Sequence, residues 1–195
     1  MKTSFSARKG IKPNDFLNTW SDIVAGCIRG DHATQCEAYR RLWRMVFPSV
    51  HYILKNREEA EDVMQESLIK GFEKLKELKD PEKYPGWQKQ ISVRHALGKL
   101  RQKKQMSALF NEVKDESEEE PINELLHMDI QLVHRKLELM PEGYRLTVRL
   151  HLLEGMSHEE IGESLGIASS TSRSQYCRAI ARLKRELLEE YEKQI

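Results

Sequence analysis

Three groups of residues in this 195-residue chain have the types and spacing to engage a polyanion or a charged protein partner. The sharpest lies between Glu154 and Leu187. Ser157, His158, Glu159 and Glu160 spell an S-x-x-E capping box, in which the serine oxygen accepts an orphan backbone N–H and Glu160 reaches back to the serine's own N–H. A short helix carrying Ile161 and Leu165 is predicted to follow and to end at Gly166, a position that needs a left-handed backbone. Ile167 then plugs the turn, and a second helix begins among Ser169, Ser170 and Thr171, which is helix-turn-helix spacing. Tyr176, Ile180, Leu183 and Leu187 recur at i, i+4, i+7 and i+11, so one face of that second helix is core. Arg173, Ser174, Cys177 and Arg178 then face outward. No acid stands between Glu163 and Glu186, whereas Arg173, Arg178, Arg182, Lys184 and Arg185 supply five positive charges, a distribution suited to phosphates and base edges. Ser169, Ser170 and Thr171 add hydroxyls and orphan N–H groups of the kind that bind phosphate. An ordinary helical hairpin with a solvated basic face is the plain alternative. Gly162 and Ser172 stand where helix-turn-helix units usually carry alanine and an aliphatic residue.

The second group is a basic helix face, Arg94, His95, Lys99, Arg101, Gln102 and Lys103. The third is acidic: Glu58, Glu59, Glu61, Asp62 and Glu66 crowd a helix start, where the macrodipole alone favours acids. Metal and catalytic patterns do not emerge. Cys27, His32 and Cys36 match no common zinc spacing. His158-Glu159 begins like a zincin motif, but position 162 is glycine and no second histidine completes it. No glycine-rich phosphate loop or nucleophile elbow occurs, so no cofactor, metal or catalytic residue is expected.

The elements that must position these residues read as helices throughout, because no stretch alternates apolar and polar with β-branched enrichment. The expected fold class is all-α. Leu17, Trp20, Ile23, Val24, Cys27 and Ile28 form a first stripe ending at Gly30, with Asp31 available to cap the next helix. Cys36, Tyr39, Leu42, Trp43 and Val46 form a second, up to Pro48. A third segment is expected from Val50 to about Asn56. A fourth, from Glu58 to about Leu78, buries Val63, Met64, Leu68, Phe72 and Leu75. Pro81 and Pro85-Gly86 predict a loop before a helix from Trp87 to about Lys104 that buries Trp87, Ile91, Val93, Leu97 and Leu100. Later helices are expected from Asn123 to Met140, closed by Pro141, and from Tyr144 to Leu153, stopped near Gly155.

Charge divides along the chain although the total is only +1. Residues 1–110 carry 21 Lys and Arg against 13 acids, net +8; residues 111–126 carry one Lys against seven acids, net −6; the remainder is net −1. A basic first half therefore offers a polyanion-binding surface. The acidic strip lacks an apolar period and reads as a linker. The expected organisation is a flexible extension over 1–15, a helical domain over 16–106, a linker over 107–122 and a helix-turn-helix domain over 123–195. No stretch approaches the roughly 20 apolar residues of a membrane span, and no apolar segment follows the basic start, so neither membrane insertion nor a signal peptide is expected. Three cysteines without a C-x-x-C pair do not make a disulfide framework, which points to a reducing cytoplasm.

These strings resemble bacterial RNA polymerase sigma factors of the extracytoplasmic function (ECF) group, especially those of Bacteroides-like bacteria. Glu142-Gly143-Tyr144-Arg145, then Glu154 through Ile161 and Leu165-Gly166-Ile167, look like the family's region four, which Thr171 through Gln175 and Arg178-Ala179 extend. Ala60-Glu61-Asp62-Val63-Met64-Gln65-Glu66-Ser67-Leu68 resembles the acidic polymerase contact of region two. Trp87, Ile91, Val93, Ala96, Leu97 and Leu100-Arg101 fit the family's promoter-opening helix.

The resemblance implies an all-helical, non-enzymatic subunit that binds core RNA polymerase through its β′ clamp helices and β flap, and promoter DNA. It nominates Asp62, Gln65 and Glu66, which share one helix face at i, i+3 and i+4, for the polymerase. An acidic cluster inside a net-basic domain would repel DNA, which makes a basic protein partner the natural target. It assigns recognition and melting of the minus ten element to the Asp80–Gly86 loop, with Lys83, and to Arg94, His95, Lys99, Arg101 and Lys103. Arg94 stands where the family usually has asparagine, and Gly98 where it has aspartate. Ser169, Ser170, Thr171, Arg173, Ser174 and Arg178 are nominated for the minus thirty-five element, and a membrane-anchored anti-sigma factor is the implied inhibitor. A stand-alone helix-turn-helix regulator or helical interaction protein is the competing reading; it accounts for the second domain but not for the region-two string.

Overall fold

The computed structural model describes residues 19–103 and 130–192, and every regular element among them is helical. The expected extension over 1–15 and linker over 107–122 lie outside the described residues, as do the predicted helical turns before Ile130. The chain divides into two compact units, Met1–Val93 and Arg94–Ile195.

In the first unit, α1 (Trp20–Ile28) starts at Thr19, whose hydroxyl accepts from the Asp22 N–H. Ile23, Val24 and Cys27 are buried as their spacing predicts, but Ile28 is 44% exposed. The chain turns at Gly30, where φ is +77°. Asp31 caps α2 (His32–Leu54) by accepting from the Ala33 N–H and the Thr34 hydroxyl.

Helix α2 runs through Pro48 rather than stopping there. Leu42, Val46 and Val50 are all fully buried, so one continuous apolar stripe carries the helix past the proline. A proline in a helix interior removes the hydrogen bond to the carbonyl four residues earlier. Here Pro48 and Arg44 are both exposed, and water can take the place of the missing N–H. A neighbouring edge of α2 carries a ladder of stacked rings, Tyr39, Trp43, Phe47 and His51, with centroids 5.4, 4.6 and 5.7 Å apart. Tyr39, expected in the core, is 36% exposed.

Lys55 ends α2 in a left-handed conformation, and Asn56 caps α3 (Arg57–Glu73) by accepting from the Glu59 N–H. The helix predicted to reach Leu78 ends at Glu73 and gives way to a 3-10 turn, Leu75–Glu77. A second 3-10 turn, Pro81–Lys83, leads into α4 (Tyr84–Gln102), which therefore starts three residues before Trp87. Pro85 sits in the first turn, where its absent N–H would have had no intrahelical partner.

The buried face of α4 is more polar than expected. Tyr84, Gln88, Ser92, Val93, Ala96, Leu97 and Leu100 are buried, while Trp87 and Ile91 are only half-buried. Gln88 Nε2 donates to the Ser67 carbonyl at 2.8 Å, and Ser92 Oγ shares a 2.7 Å hydrogen bond with Ser67 Oγ. Gly71 makes room for this: a Cβ there would fall 1.8 Å from Gln88 Oε1. Buried polar groups keep their free energy only when bonded; α3 supplies partners for the Gln88 amide nitrogen and the Ser92 hydroxyl, while Gln88 Oε1 is buried without one.

The second unit contains the part of α4 from Arg94 onward, α5 (Ile130–Glu138), α6 (Glu142–Leu152), α7 (His158–Leu165) and α8 (Ser169–Glu192). Pro141 stands immediately before α6. Leu132, Leu137, Met140, Tyr144 and Val148 pack with Tyr176, Ala179, Ile180, Leu183 and Leu187 in one core. The i, i+4, i+7, i+11 stripe of α8 is thus its buried face.

Candidate nucleic-acid interface

The capping box forms as its spacing predicts. Ser157 Oγ accepts from the Glu160 N–H at 3.2 Å, and Glu160 Oε2 accepts from the Ser157 N–H at 2.9 Å. The carboxyl of Glu160 is pulled below its usual range, chiefly by that backbone hydrogen bond. Helix α7 ends at Gly166 in the left-handed region, φ +72°. The N–H groups of Gly166 and Ile167 both donate to the Gly162 carbonyl, at 2.8 and 3.0 Å.

Gly162 has a local reason. An added Cβ would stand 2.8 Å from the Ile167 carbonyl oxygen and 3.2 Å from the Ser169 N. The turn folds back onto α7 so closely that the alanine usual in such units does not fit. Ser172 also has a reason: it is fully buried, and its hydroxyl shares a 3.0 Å hydrogen bond with His158 Nδ1 at the start of α7.

Helix α8 begins at Ser169, after Ala168. Ser169, Ser170, Arg173 and Ser174 are exposed, and Thr171 and Arg178 are half-buried. Ser174 Oγ donates to the Ser170 carbonyl at 2.9 Å. The Arg173 guanidinium lies 3.9 Å from Glu159 Oε1. One exposed surface therefore combines a helix start, three hydroxyl side chains and Arg173, groups of the kinds that phosphates and base edges accept. The remaining outward cations continue along α8, with Arg182 paired to Glu186 at 2.7 Å.

A cluster of three rings that sequence reasoning did not bring together lies behind this surface. His151 and His158 stack at 4.4 Å with an interplanar angle of 14°, and Tyr176 meets them edge-on at 4.8 and 5.5 Å. His151 Nδ1 donates to the Met156 carbonyl at 2.8 Å. Burial, then His151 and Arg173, hold the His158 imidazole below its ordinary value against the smaller pull of Glu159. The three residues are separated by 7 and 18 positions on three helices, so no single-helix period links them.

In the first unit, Asp62, Gln65 and Glu66 are all exposed on α3, opposite buried Val63, Met64, Ser67 and Leu68. Ile69, 58% exposed, adds an apolar group to that side. Lys83 is exposed in the second 3-10 turn, 3.6 Å from Asp80 Oδ2. A concavity beside it is lined by Leu78, Asp80, Lys83, Gly86 and Trp87. On α4, Arg94 and Arg101 are exposed and Lys99 is half-buried; Lys103 is exposed just past the helix end. His95 is half-buried, and its Nδ1 is shielded from solvent. The rings of Tyr84 and Trp87 lie 6.1 Å apart; Tyr84 is fully buried and so cannot stack on a base.

Cys27, Cys36 and Cys177 are free thiols. Burial pushes the Cys27 thiol up to about 11, which makes it a poor metal ligand or nucleophile. No described helix is long and apolar enough to cross a membrane.

Residues 130–183 match the family model for sigma-70, region 4. The chain is also similar to the RNA polymerase sigma factor SigV of Bacillus subtilis, 26% identical over 148 residues that cover 76% of this chain and 85% of that protein. It is 29% identical over 144 residues to the ECF RNA polymerase sigma factor SigE of Mycolicibacterium smegmatis, covering 71% of this chain and 56% of that one. Among solved structures it is similar to CnrH in complex with the cytosolic domain of CnrY, with 18% identity, a TM-score of 0.43 and coverage of 85% and 95%.

Proposed function

We infer that this chain is an RNA polymerase sigma factor of the extracytoplasmic function family, which binds core polymerase, directs it to specific promoters and helps open the DNA. The observation that carries this reading is the coincidence of the sigma-70 region 4 match, residues 130–183, with a helix-turn-helix whose exposed face holds Arg173, Ser174 and an open helix start. The string Thr171 through Gln175 favours the Bacteroides-like subfamily.

The roles divide between a region-two domain over 16–106 and a region-four domain over 123–195, joined by the acidic linker. Asp62, Gln65 and Glu66 present an acidic, exposed face to the β′ clamp helices, and the second domain meets the β flap. Helix α8 reads the minus thirty-five element through Arg173 and Ser174 while Ser169, Ser170, Thr171 and Arg178 hold phosphates. Lys83, Arg94, His95, Lys99, Arg101 and Lys103 serve the minus ten element, and the concavity beside Lys83 is placed to receive an unstacked base. The polymerase supplies the chemistry of transcription. The protein works in the cytoplasm under a membrane-anchored anti-sigma factor, without entering the membrane itself.

The test is to mix the purified chain with core polymerase and a library of promoter fragments. Promoter-dependent transcripts are expected only when both are present. Operator binding by a dimer, with no transcript and no association with polymerase, would replace this reading by that of a stand-alone regulator.

A further inference from the structure

Helix α8 lacks the device that anchors the start of α7. Ala168, the residue before it, has no side-chain oxygen to cap the first turn. Something else must hold this turn in place if Arg173 is to reach the same base at every encounter. The hydroxyl of Ser172, fully buried and adjacent in sequence to Arg173, is bonded to His158 Nδ1 at 3.0 Å. His158 is itself fixed by the stacked ring of His151 on α6 and the edge of Tyr176 on α8. His151 is fixed in turn, through its donation to the Met156 carbonyl.

We infer that His158 is a positioning residue for promoter recognition: its bond to Ser172, backed by the His151 and Tyr176 rings, fixes the first turn of α8 and so the aim of Arg173. The proposal rests on the reading of α8 as the base-reading helix. It also gives the serine at position 172 a task that an aliphatic residue could not perform, because a buried hydroxyl there is stabilising only while its partner is present.

A positioning role differs from ordinary packing in what it changes. Loss of packing lowers stability and weakens every DNA complex together. Loss of aim leaves phosphate binding intact and flattens the preference among bases. Asparagine places a polar atom one bond from Cγ, as Nδ1 is in histidine, so His158→Asn keeps the bond to Ser172 while removing the ring.

The experiment uses core polymerase loaded with the full chain and a promoter fragment pool with a randomised upstream element. Each variant is scored by its preference for enriched over random fragments, by its affinity for random duplex, and by its thermal midpoint. His158→Ala and Ser172→Ala are each expected to lower the preference by about tenfold, the scale of one hydrogen bond, with affinity for random duplex unchanged. The double variant should lose no more than either single one, and His158→Asn should recover most of the preference. Unchanged preference in Ser172→Ala, or a loss in every variant that tracks the thermal midpoint and weakens random duplex equally, overturns the inference. If the unsubstituted chain shows no upstream preference, the reading of α8 itself fails, which is a distinguishable result.

Discussion

The Arg173 guanidinium lies 3.9 Å from the Glu159 carboxylate, so the exposed arginine in the first turns of α8 is paired, in the free protein, with an acid on the neighbouring helix. Both side chains are well exposed, at 59% and 65%, and water and salt screen the pair. The contact orients Arg173 without locking it. Arg173→Ala should cost roughly 1–3 kcal/mol of promoter affinity and relax preference at one or two base pairs, whereas Arg178→Ala should weaken all sequences about equally and reduce the salt slope. Glu159→Gln should strengthen binding to every duplex, because it removes a negative charge from the surface that meets phosphate. Titrations at two salt concentrations check all three.

Gly162→Ala should destabilise the second unit even though alanine is the better helix former by about 1 kcal/mol. The added Cβ meets backbone, the Ile167 carbonyl at 2.8 Å, which no side-chain rotation can relieve. Overpacking of this kind costs roughly 1–3 kcal/mol. A thermal midpoint equal to or above that of the unsubstituted protein would show that the turn relaxes freely.

Combining Gln65→Ala with Glu66→Lys should abolish association with core polymerase and leave the circular dichroism spectrum unchanged, since both residues are exposed on α3. Equal co-purification of variant and unsubstituted chain would remove the docking role from this face.

Replacing Lys99 and Lys103 by alanine should reduce open complexes on fully double-stranded promoters while leaving upstream recognition intact. Permanganate footprinting of unpaired thymines measures the first, and protection of the upstream element measures the second. Variants that open duplex promoters as well as the unsubstituted chain would end the assignment of melting to this helix face.

Acid should weaken the second unit in a window set by His158. Its imidazole gains a proton at lower pH in the folded chain than the ordinary value of 6.5, through burial first and then His151 and Arg173. Between the two values the unfolded chain holds more protons, so stability falls as the pH drops through about 6.5 and levels off below the folded value. Urea midpoints at about pH 7.5 and 5.5 should differ less for His158→Asn than for the unsubstituted chain. Equal acid losses in both would assign the effect to other groups.

Local signals were legible where one helix or one turn decides the outcome. Ser157 and Glu160 lie three residues apart and each bonds to the other's backbone, so their capping box is readable from spacing alone. Gly166 likewise needs nothing beyond its own φ. The α8 stripe of Tyr176, Ile180, Leu183 and Leu187 is legible because one period serves one core. Pro48 misled, because a proline marks a helix end only when packing does not carry the stripe beyond it. Gln88 and Ser92 belong to no apolar stripe, so their burial against Ser67 has no sequence signal, and Ile28 reads as core until α1 ends beneath it. The grouping of His151, His158 and Tyr176 was silent in sequence, since two connections, α6 to α7 and α7 to α8, are needed to bring the three together. Their one readable trace was a serine at position 172 where a hydrocarbon is usual.

The bonds joining Gln88 and Ser92 to Ser67 also act as a key for sliding. Helices that meet through hydrocarbon alone tolerate small shifts along one another, because one methyl group replaces the next. A shift of α4 by one turn, about 5.4 Å, would take the Gln88 amide nitrogen from the Ser67 carbonyl and strand it in a dry interface, at a cost of roughly 1–3 kcal/mol, and would leave each serine hydroxyl only its bond to a carbonyl of its own helix. Gly71 sharpens the restriction, since it leaves room for the Gln88 carboxamide at one place along α3. Because α4 is a single continuous helix from Tyr84 to Gln102, locking its first half sets the rotational phase of the whole, and the directions in which Arg94, Lys99 and Arg101 leave the axis are determined by a glutamine that touches no ligand.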